Sequence, residues 1–185
     1  MAVVLAVLAS TTLAASAVNA SADDLVGAIP AVIRTPDIDM ARFHVKTQHA
    51  VTPAEYRMLS PAGPIAVLRR SGGYKVSALE DRRHRFAIIE RSCCALQEWI
   101  ILSPARPLGP HATPATLRDV RIGGVSIGSP TSVVERQFAG SGGRQQRRDV
   151  AALRYVHQRN HDCWTFYTFV LKHQRVEAIS VKNAC

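Results

Sequence analysis

Aromatic side chains make up only 6% of this 185-residue sequence, and its 14 acidic residues are outnumbered by 23 lysines and arginines. With so few rings, the core is expected to rest on Val, Ile, Leu and Ala, and a hydrophobic content of 47% is ample for one. Asp and Glu are thinly spread, so the paired carboxylates of glycoside hydrolysis have no candidates. No G-x-S-x-G is present, and Gly123-Gly124…Gly128 lacks the Lys-Ser/Thr of a phosphate-binding loop. No C-x-x-C pair exists, and no apolar run approaches membrane-spanning length, so the mature chain is expected to carry no transmembrane segment. These absences remove the common catalytic signatures. They point to a non-enzymatic protein without cofactor or metal.

Charge is missing altogether from residues 1–22. Within that stretch residues 2–9 (AVVLAVLA) form a short apolar run, and Val18-Asn19-Ala20 fits the small-x-small cleavage pattern. Residues 1–20 therefore read as a secretory signal peptide, which places the mature chain in a periplasm or outside the cell. No cysteine follows the apolar run, so a lipid anchor is not indicated.

Four cysteines, Cys93, Cys94, Cys163 and Cys185, in an exported chain suggest disulfides, and four allow three pairings. If residues 163–171 and 176–185 form a hairpin turning at Lys172-His173-Gln174-Arg175, Leu171 faces Val176 and Cys163 faces Ala184. A small change in the turn then sets Cys163 opposite Cys185. Cys93 and Cys94 remain as a strained vicinal bridge, as one buried and one exposed thiol, or as partners in cross-pairing with Cys163 and Cys185.

Along the chain, residues 21–50 read as an extended N-terminal segment with a short strand near residues 31–34. Thr52-Pro53-Ala54-Glu55 is a helix start, with a capping Thr, Pro at the first helical position and Glu at the third. Residues 65–69, 74–79, 85–91 and 95–102 read as strands, the last three joined as an antiparallel meander. In residues 95–102, Leu96, Ile100 and Leu102 share one face and Trp99 takes the other. Residues 104–115 carry four prolines and read as a linker between a first half at 51–103 and a second at 116–185. The second half is expected to open with a strand within 116–125. Ser129 then caps a helix with Pro130 at its first position and Val134 and Phe138 on one face, ending at Gly140. Three strands follow, with Leu153 and Tyr155 on one face of the first. Val76-Ser-Ala-Leu79 and Val150-Ala-Ala-Leu153 echo one another. The whole is expected to be α+β: short helices packed on an antiparallel β-sheet, arranged as two helix-βββ repeats.

Gly128, Val134, Phe138 and Gly140, followed by a β-meander, resemble a pattern in BamE/SmpA-like outer-membrane assembly lipoproteins and in the repeat of the β-lactamase-inhibitor-protein fold. The resemblance covers the C-terminal half only. It implies a helix-on-sheet module used for protein–protein contact. This chain departs from the lipoproteins in lacking their lipid-bearing cysteine, and no binding residues carry over.

The net charge of +9 points to an anionic partner. Candidate contacts are Arg144, Arg147 and Arg148 in one polar stretch and Arg82, Arg83 and Arg85 in a charged turn. Neither set is interleaved with stacking aromatics, so nucleic acid is not expected as the partner. His157-x3-His161-x-Cys163 has metal-ligand residue types but reads as a strand end and turn. Cys93 or Cys94 with His84 or His111 is a candidate nucleophile–base combination, with Arg82, Arg83, Arg85 and Arg91 nearby in sequence to favour the thiolate. The leading expectation is an exported binding or envelope-associated protein whose basic loops contact an acidic protein or an anionic envelope polymer. A secreted effector or inhibitor of a foreign target and an exported enzyme with Cys/His chemistry are the alternatives.

Overall fold

A computed structural model describes residues 23–34, 45–60, 67–69, 74–110, 112–117, 120–138 and 152–185. The signal-peptide expectation, Gly140, His111 and the Arg144, Arg147 and Arg148 stretch lie outside these residues. The fold is α+β: a mostly antiparallel sheet with short helices on it. Its strands are β1 (Val45–Lys46), β2 (Val67–Arg69), β3 (Lys75–Asp81), β4 (Ala87–Cys93), β5 (Leu96–Leu102), β6 (Thr113–Ala115), β7 (Ala152–Gln158), β8 (Trp164–Lys172) and β9 (Arg175–Ala184). They lie in the order β1-β7-β8-β9-β5-β4-β3-β2. The helices are α1 (Ala31–Arg34), α2 (Pro53–Leu59) and α3 (Thr131–Phe138).

Two three-stranded meanders, β3-β4-β5 and β7-β8-β9, meet edge to edge. Their third strands pair antiparallel, with Trp99 opposite Val181 and Ile101 opposite Ile179. Each meander is preceded in the chain by one helix, α2 or α3. The proline-rich stretch ends in β6, which pairs parallel with β3 from Leu79 to Asp81, a correction to its reading as linker throughout. Pro114 is accommodated because β6 is an edge strand, where a missing N–H leaves no central ladder unpaired. β2 occupies the other end of the same β3 edge.

Both faces of the sheet are buried, which explains the unbroken apolar runs in β4 and β5. Along β5, Trp99 and Ile101 face one core, while Ile100 and Leu102 face the other. The first core lies under α2, α3, Leu117 and residues 120–127. The second lies under residues 23–34, which contribute Leu25, Ile29 and Ile33. Each of these three is at most 7% exposed, a burial that stabilises by about 1.5–3 kcal/mol per side chain. Leu25 comes from a helical turn at residues 23–27, Ile29 from the bend after it and Ile33 from α1, where the sequence suggested a strand at 31–34. Pro30 immediately precedes α1, and its carbonyl accepts the Ile33 and Arg34 N–H groups at 2.9 and 3.2 Å.

Most buried apolar side chains are Val, Ile, Leu or Ala, as expected, but the bulkiest of them are aromatic. Trp99, Tyr155, Tyr167, Phe138 and Phe169 are the largest fully buried side chains. Phe138, from the last turn of α3, stacks edge-on against Tyr167 and Phe169 at centroid distances of 5.1 and 4.7 Å, with Tyr155 at 5.4 Å. Rings are scarce in composition but concentrated on one face, where each buries more apolar area than an aliphatic side chain.

Two local expectations shift slightly. No strand forms among the described residues of 116–125. Ile122 and Val125 instead bridge each other around Gly123-Gly124, both in left-handed conformation. α3 begins at Thr131, one residue later than expected, because Pro130 bridges Arg175 and the Thr131 N–H donates to the Gln174 carbonyl.

The C-terminal hairpin turns where expected, with Lys172 opposite Arg175 and Leu171 opposite Val176. A bulge then takes up Glu177, so Val170 pairs with Ala178 and Trp164 with Ala184. That one-residue shift sets Cys163 against Cys185, and the two are bridged across 22 residues of sequence with Cα atoms 4.2 Å apart.

A cross-link closing a loop of this size contributes about 3 kcal/mol in the chain-entropy picture. Replacing both bridged cysteines by serine is expected to lower the unfolding free energy by about that amount, measured by urea titration. At Gly123 (φ +57°), an added Cβ would stand 2.8 Å from the Phe138 ring. Gly123→Ala is expected to destabilise by about 1–3 kcal/mol, with loss of near-ultraviolet dichroism from the aromatic cluster.

Candidate functional site

The sheet has two chemically distinct ends. One end holds the tight turn at residues 82–86, the proline-rich loop and the turn at His173-Gln174. Asp81 shapes the first turn: its backbone N–H donates to Phe86 and its Oδ2 accepts from the Arg83 N–H at 3.3 Å and the Arg85 Nε at 3.4 Å. Burial opposes its ionisation, but Arg85 and the Arg83 N–H outweigh that and hold the carboxyl below its ordinary range. Arg85 also lies 5.6 Å from the Phe86 ring centre. Arg82, Arg83 and Arg85 are all exposed, and no ion pair of Arg82 or Arg83 occurs among the described residues. Arg106, Lys172 and Arg175 are exposed at the same end of the sheet. Glu80 ties the proline-rich loop down, accepting the Leu108 N–H at 3.1 Å and facing His84 Nδ1 at 3.1 Å. Between this loop and residues 24–30 runs an open groove of about 900 Å³, with Asp24, Arg106 and Glu177 on its walls.

The opposite end carries the cysteines. Cys93 and Cys94 are free, Cys93 half-buried at the end of β4 and Cys94 exposed in the following turn. The Cys/His combination that the alternative enzymatic reading would need does not form with His84. That histidine lies in the turn before β4 and Cys93 at the strand's far end, so the whole strand, roughly 20 Å, separates them. Tyr74 sits beside Cys93, and that contact, more than burial, raises its phenol above the ordinary range. Cys163 is committed to the bridge and is no thiolate ligand. His157 Nδ1 lies 3.2 Å from the Thr47 carbonyl.

Two buried carboxylates were not recognisable as sites in the sequence. Glu98, 3% exposed, pairs with Arg91 and accepts the Ser180 hydroxyl at 2.6 Å across the β5–β9 seam. Glu55 completes the α2 capping box: it accepts the Thr52 N–H at 2.7 Å, while Thr52 Oγ1 accepts the Glu55 N–H at 3.2 Å. Its other oxygen accepts the Gly123 N–H at 2.5 Å and faces His49 Nε2 at 3.4 Å. The His49 ring packs on Phe138 and Tyr167, and the Tyr167 hydroxyl donates to the His49 carbonyl at 3.1 Å. Burial and the nearby Glu55 charge push the Tyr167 phenol far up, so it stays a donor. The capping spacing was visible in the sequence. The second role was not, because Gly123 is 68 residues away.

No family model matches the chain, and no curated protein and no solved structure is significantly similar to it.

Burial alone would raise the Glu55 pKa, but the His49 contact and the Thr52 and Gly123 N–H donors bring it from an ordinary 4.5 down to about 2. A depressed carboxylate stabilises the fold above its unfolded value, and that contribution is lost as pH falls through the folded one. Urea midpoints are therefore expected to fall as pH drops from 4.5 towards 2, and less steeply in Glu55→Gln. At neutral pH, Glu55→Ala leaves two N–H donors without this acceptor, and a loss of about 2–4 kcal/mol is expected.

Proposed function

We propose that this chain is an exported binding protein of the cell envelope, and that the arginine-bearing turn 82–85 contacts an acidic protein or an anionic envelope polymer. The observation that carries this reading is the turn itself. Its backbone is held by the buried Asp81 carboxylate and by the Arg82 N–H donating to the Ala115 carbonyl, so its cations are presented on a fixed scaffold. A preformed turn loses less conformational entropy on binding than a free loop. The formal +9 charge supports the anionic partner, and at 0.15 M salt such an attraction acts over about 8 Å.

Export is supported by the uncharged apolar N-terminus and by the Cys163–Cys185 bridge, since such bridges persist in oxidising compartments. The resemblance of the second half to helix-on-sheet assembly and inhibitor modules supports contact with another protein over catalysis, and Arg144, Arg147 and Arg148 would extend the same basic character.

The test is a pull-down from envelope extract with partner identification by mass spectrometry, at low and high salt. Retention is expected to fall with ionic strength. In the double variant Arg82→Glu, Arg83→Glu it is expected to fall roughly tenfold or more, at about 1 kcal/mol per lost cation. Both side chains are exposed, so the thermal midpoint of the variant should be unchanged. Salt-independent retention, or a double variant that binds as the parent does, refutes the reading.

A further inference from the structure

Three loops leave the sheet at its arginine-bearing end. Ala87, Leu102, Ala178 and Val170 are paired across β4, β5, β9 and β8, so the chain beyond each of them projects from the same end. The first loop is the turn at residues 82–86, the second the proline-rich loop that follows Leu102, and the third the His173-Gln174 turn. The strand order β8-β9-β5-β4-β3 sets them in a row, with the proline-rich loop in the middle. At the spacing of paired strands, each loop is about 7 Å from the next, and the row is about 14 Å long.

Every loop in the row carries exposed cations on a fixed backbone. Arg82 and Arg83 stand on the first, Arg106 on the second, and Lys172 and Arg175 flank the third. Arg82, Arg83 and Arg106 make no ion pair among the described residues. Lys172 faces Glu177 at 3.6 Å, and Arg175 Nη1 donates to the Gly128 carbonyl at 2.9 Å, which orients its fork. The buried Glu80 carboxylate joins the first two loops, facing His84 in one and accepting the Leu108 N–H of the other. In the third, the Gln174 carbonyl accepts both the N–H and the hydroxyl of Thr131 at 3.0 Å.

Four of these five cations are arginines, whose planar forks match carboxylates. A folded acidic protein would dock through buried apolar anchors. The large exposed apolar side chains among the described residues, Val67 and Tyr74, lie away from this end: Val67 pairs with Ser77, and Tyr74 precedes the far end of β3. A flat anionic surface would meet Asp24 and Glu177 on the groove beside the proline-rich loop. An extended chain can follow the row past them. It advances about 3.4 Å per residue, so carboxylates on alternate residues face one side about 7 Å apart, the spacing of the loops.

We propose that the three loops together bind an extended acidic peptide segment, with Asp or Glu at alternate positions, laid across the end of the sheet. This rests on the reading of the 82–85 turn as an anion contact, and it makes the partner an acidic protein segment rather than an envelope polymer. Arg82 and Arg83 hold one part of the segment, Arg106 the middle, and Lys172 and Arg175 the remainder. Because the cations act as one multivalent site, affinity depends on a ligand long enough to reach all three loops.

The test titrates the full chain into a fluorescein-labelled peptide of five Glu-Ser repeats, read by anisotropy at low and high salt, with Glu-Ser-Glu as the short control. Saturable binding that weakens with salt is expected for the long peptide, and binding roughly tenfold weaker or worse for the short one. Arg106→Glu, at an exposed position, is expected to weaken the long peptide by about fivefold or more with an unchanged thermal midpoint. Loss of binding in Arg82→Glu, Arg83→Glu together with parental binding in Arg106→Glu overturns this inference and leaves the contact role of the 82–85 turn standing. Parental binding in both variants overturns the inference and the reading beneath it. A heparin fragment or phosphatidylglycerol vesicles that bind where the long peptide does not also overturn the inference, the partner then being a polymer or a membrane.

Discussion

The Glu55 carboxylate fixes how the helical layer sits on the sheet. One side chain closes the N-terminus of α2, accepts the N–H of a left-handed glycine and sets the imidazole of His49 against two aromatic rings. In a low-dielectric interior each of those donors is costly to leave unpaired, so helix, loop and ring must arrive together. With α2 so placed, its far end reaches the sheet. Ser60 accepts the Trp99 indole N–H at 2.9 Å, and the Tyr56 hydroxyl accepts from Asn183 at 2.9 Å. Asn183 in turn accepts the Thr165 hydroxyl at 2.8 Å. A helix from the first half of the chain is thereby fastened to β5, and through Asn183 to β8 and β9 of the second.

That crossing changes what the two halves are. Each contributes a helix and a three-strand meander, but neither meander is closed by its own helix alone. The first core draws on Leu79 and Ile88 from one meander and on Tyr155, Tyr167 and Ile179 from the other. The Glu98 carboxylate, with Arg91 on one side and Ser180 on the other, spans the same seam on the opposite face. Polar groups therefore set the register of the β5–β9 junction from both sides, where apolar packing alone tolerates slippage.

Much of this was legible residue by residue where the determining contacts are short. The Thr52-Pro53-x-Glu55 cap, the Val134/Phe138 face, the split of β5 into two faces and the turn at residues 173–174 all depend on neighbours within a few positions. The features that were not legible depend on distant partners. The strand expected at 31–34 is a helical turn because Ile33 packs with Leu25 and Ile29 over strands far along the chain. Cys163 reaches Cys185 through a bulge at Glu177, and nothing in the local pattern distinguishes that from a longer turn. The aromatic cluster within the mostly aliphatic core was hidden by an average: 6% aromatic content says nothing of where the rings gather. At the candidate surfaces, the Arg82–Arg85 turn was visible as a charge cluster.

The strands run between an arginine-bearing end and a sulfur-bearing end, and the distance between them is roughly one strand length, about 20 Å, or more than two screening lengths at physiological salt. A polyanion drawn to the first end therefore exerts little electrostatic influence at the second. The same strands make the molecule directional. Docked by its arginines on a negative surface, it would stand with its strands as a post and hold its cysteines out towards the surrounding medium.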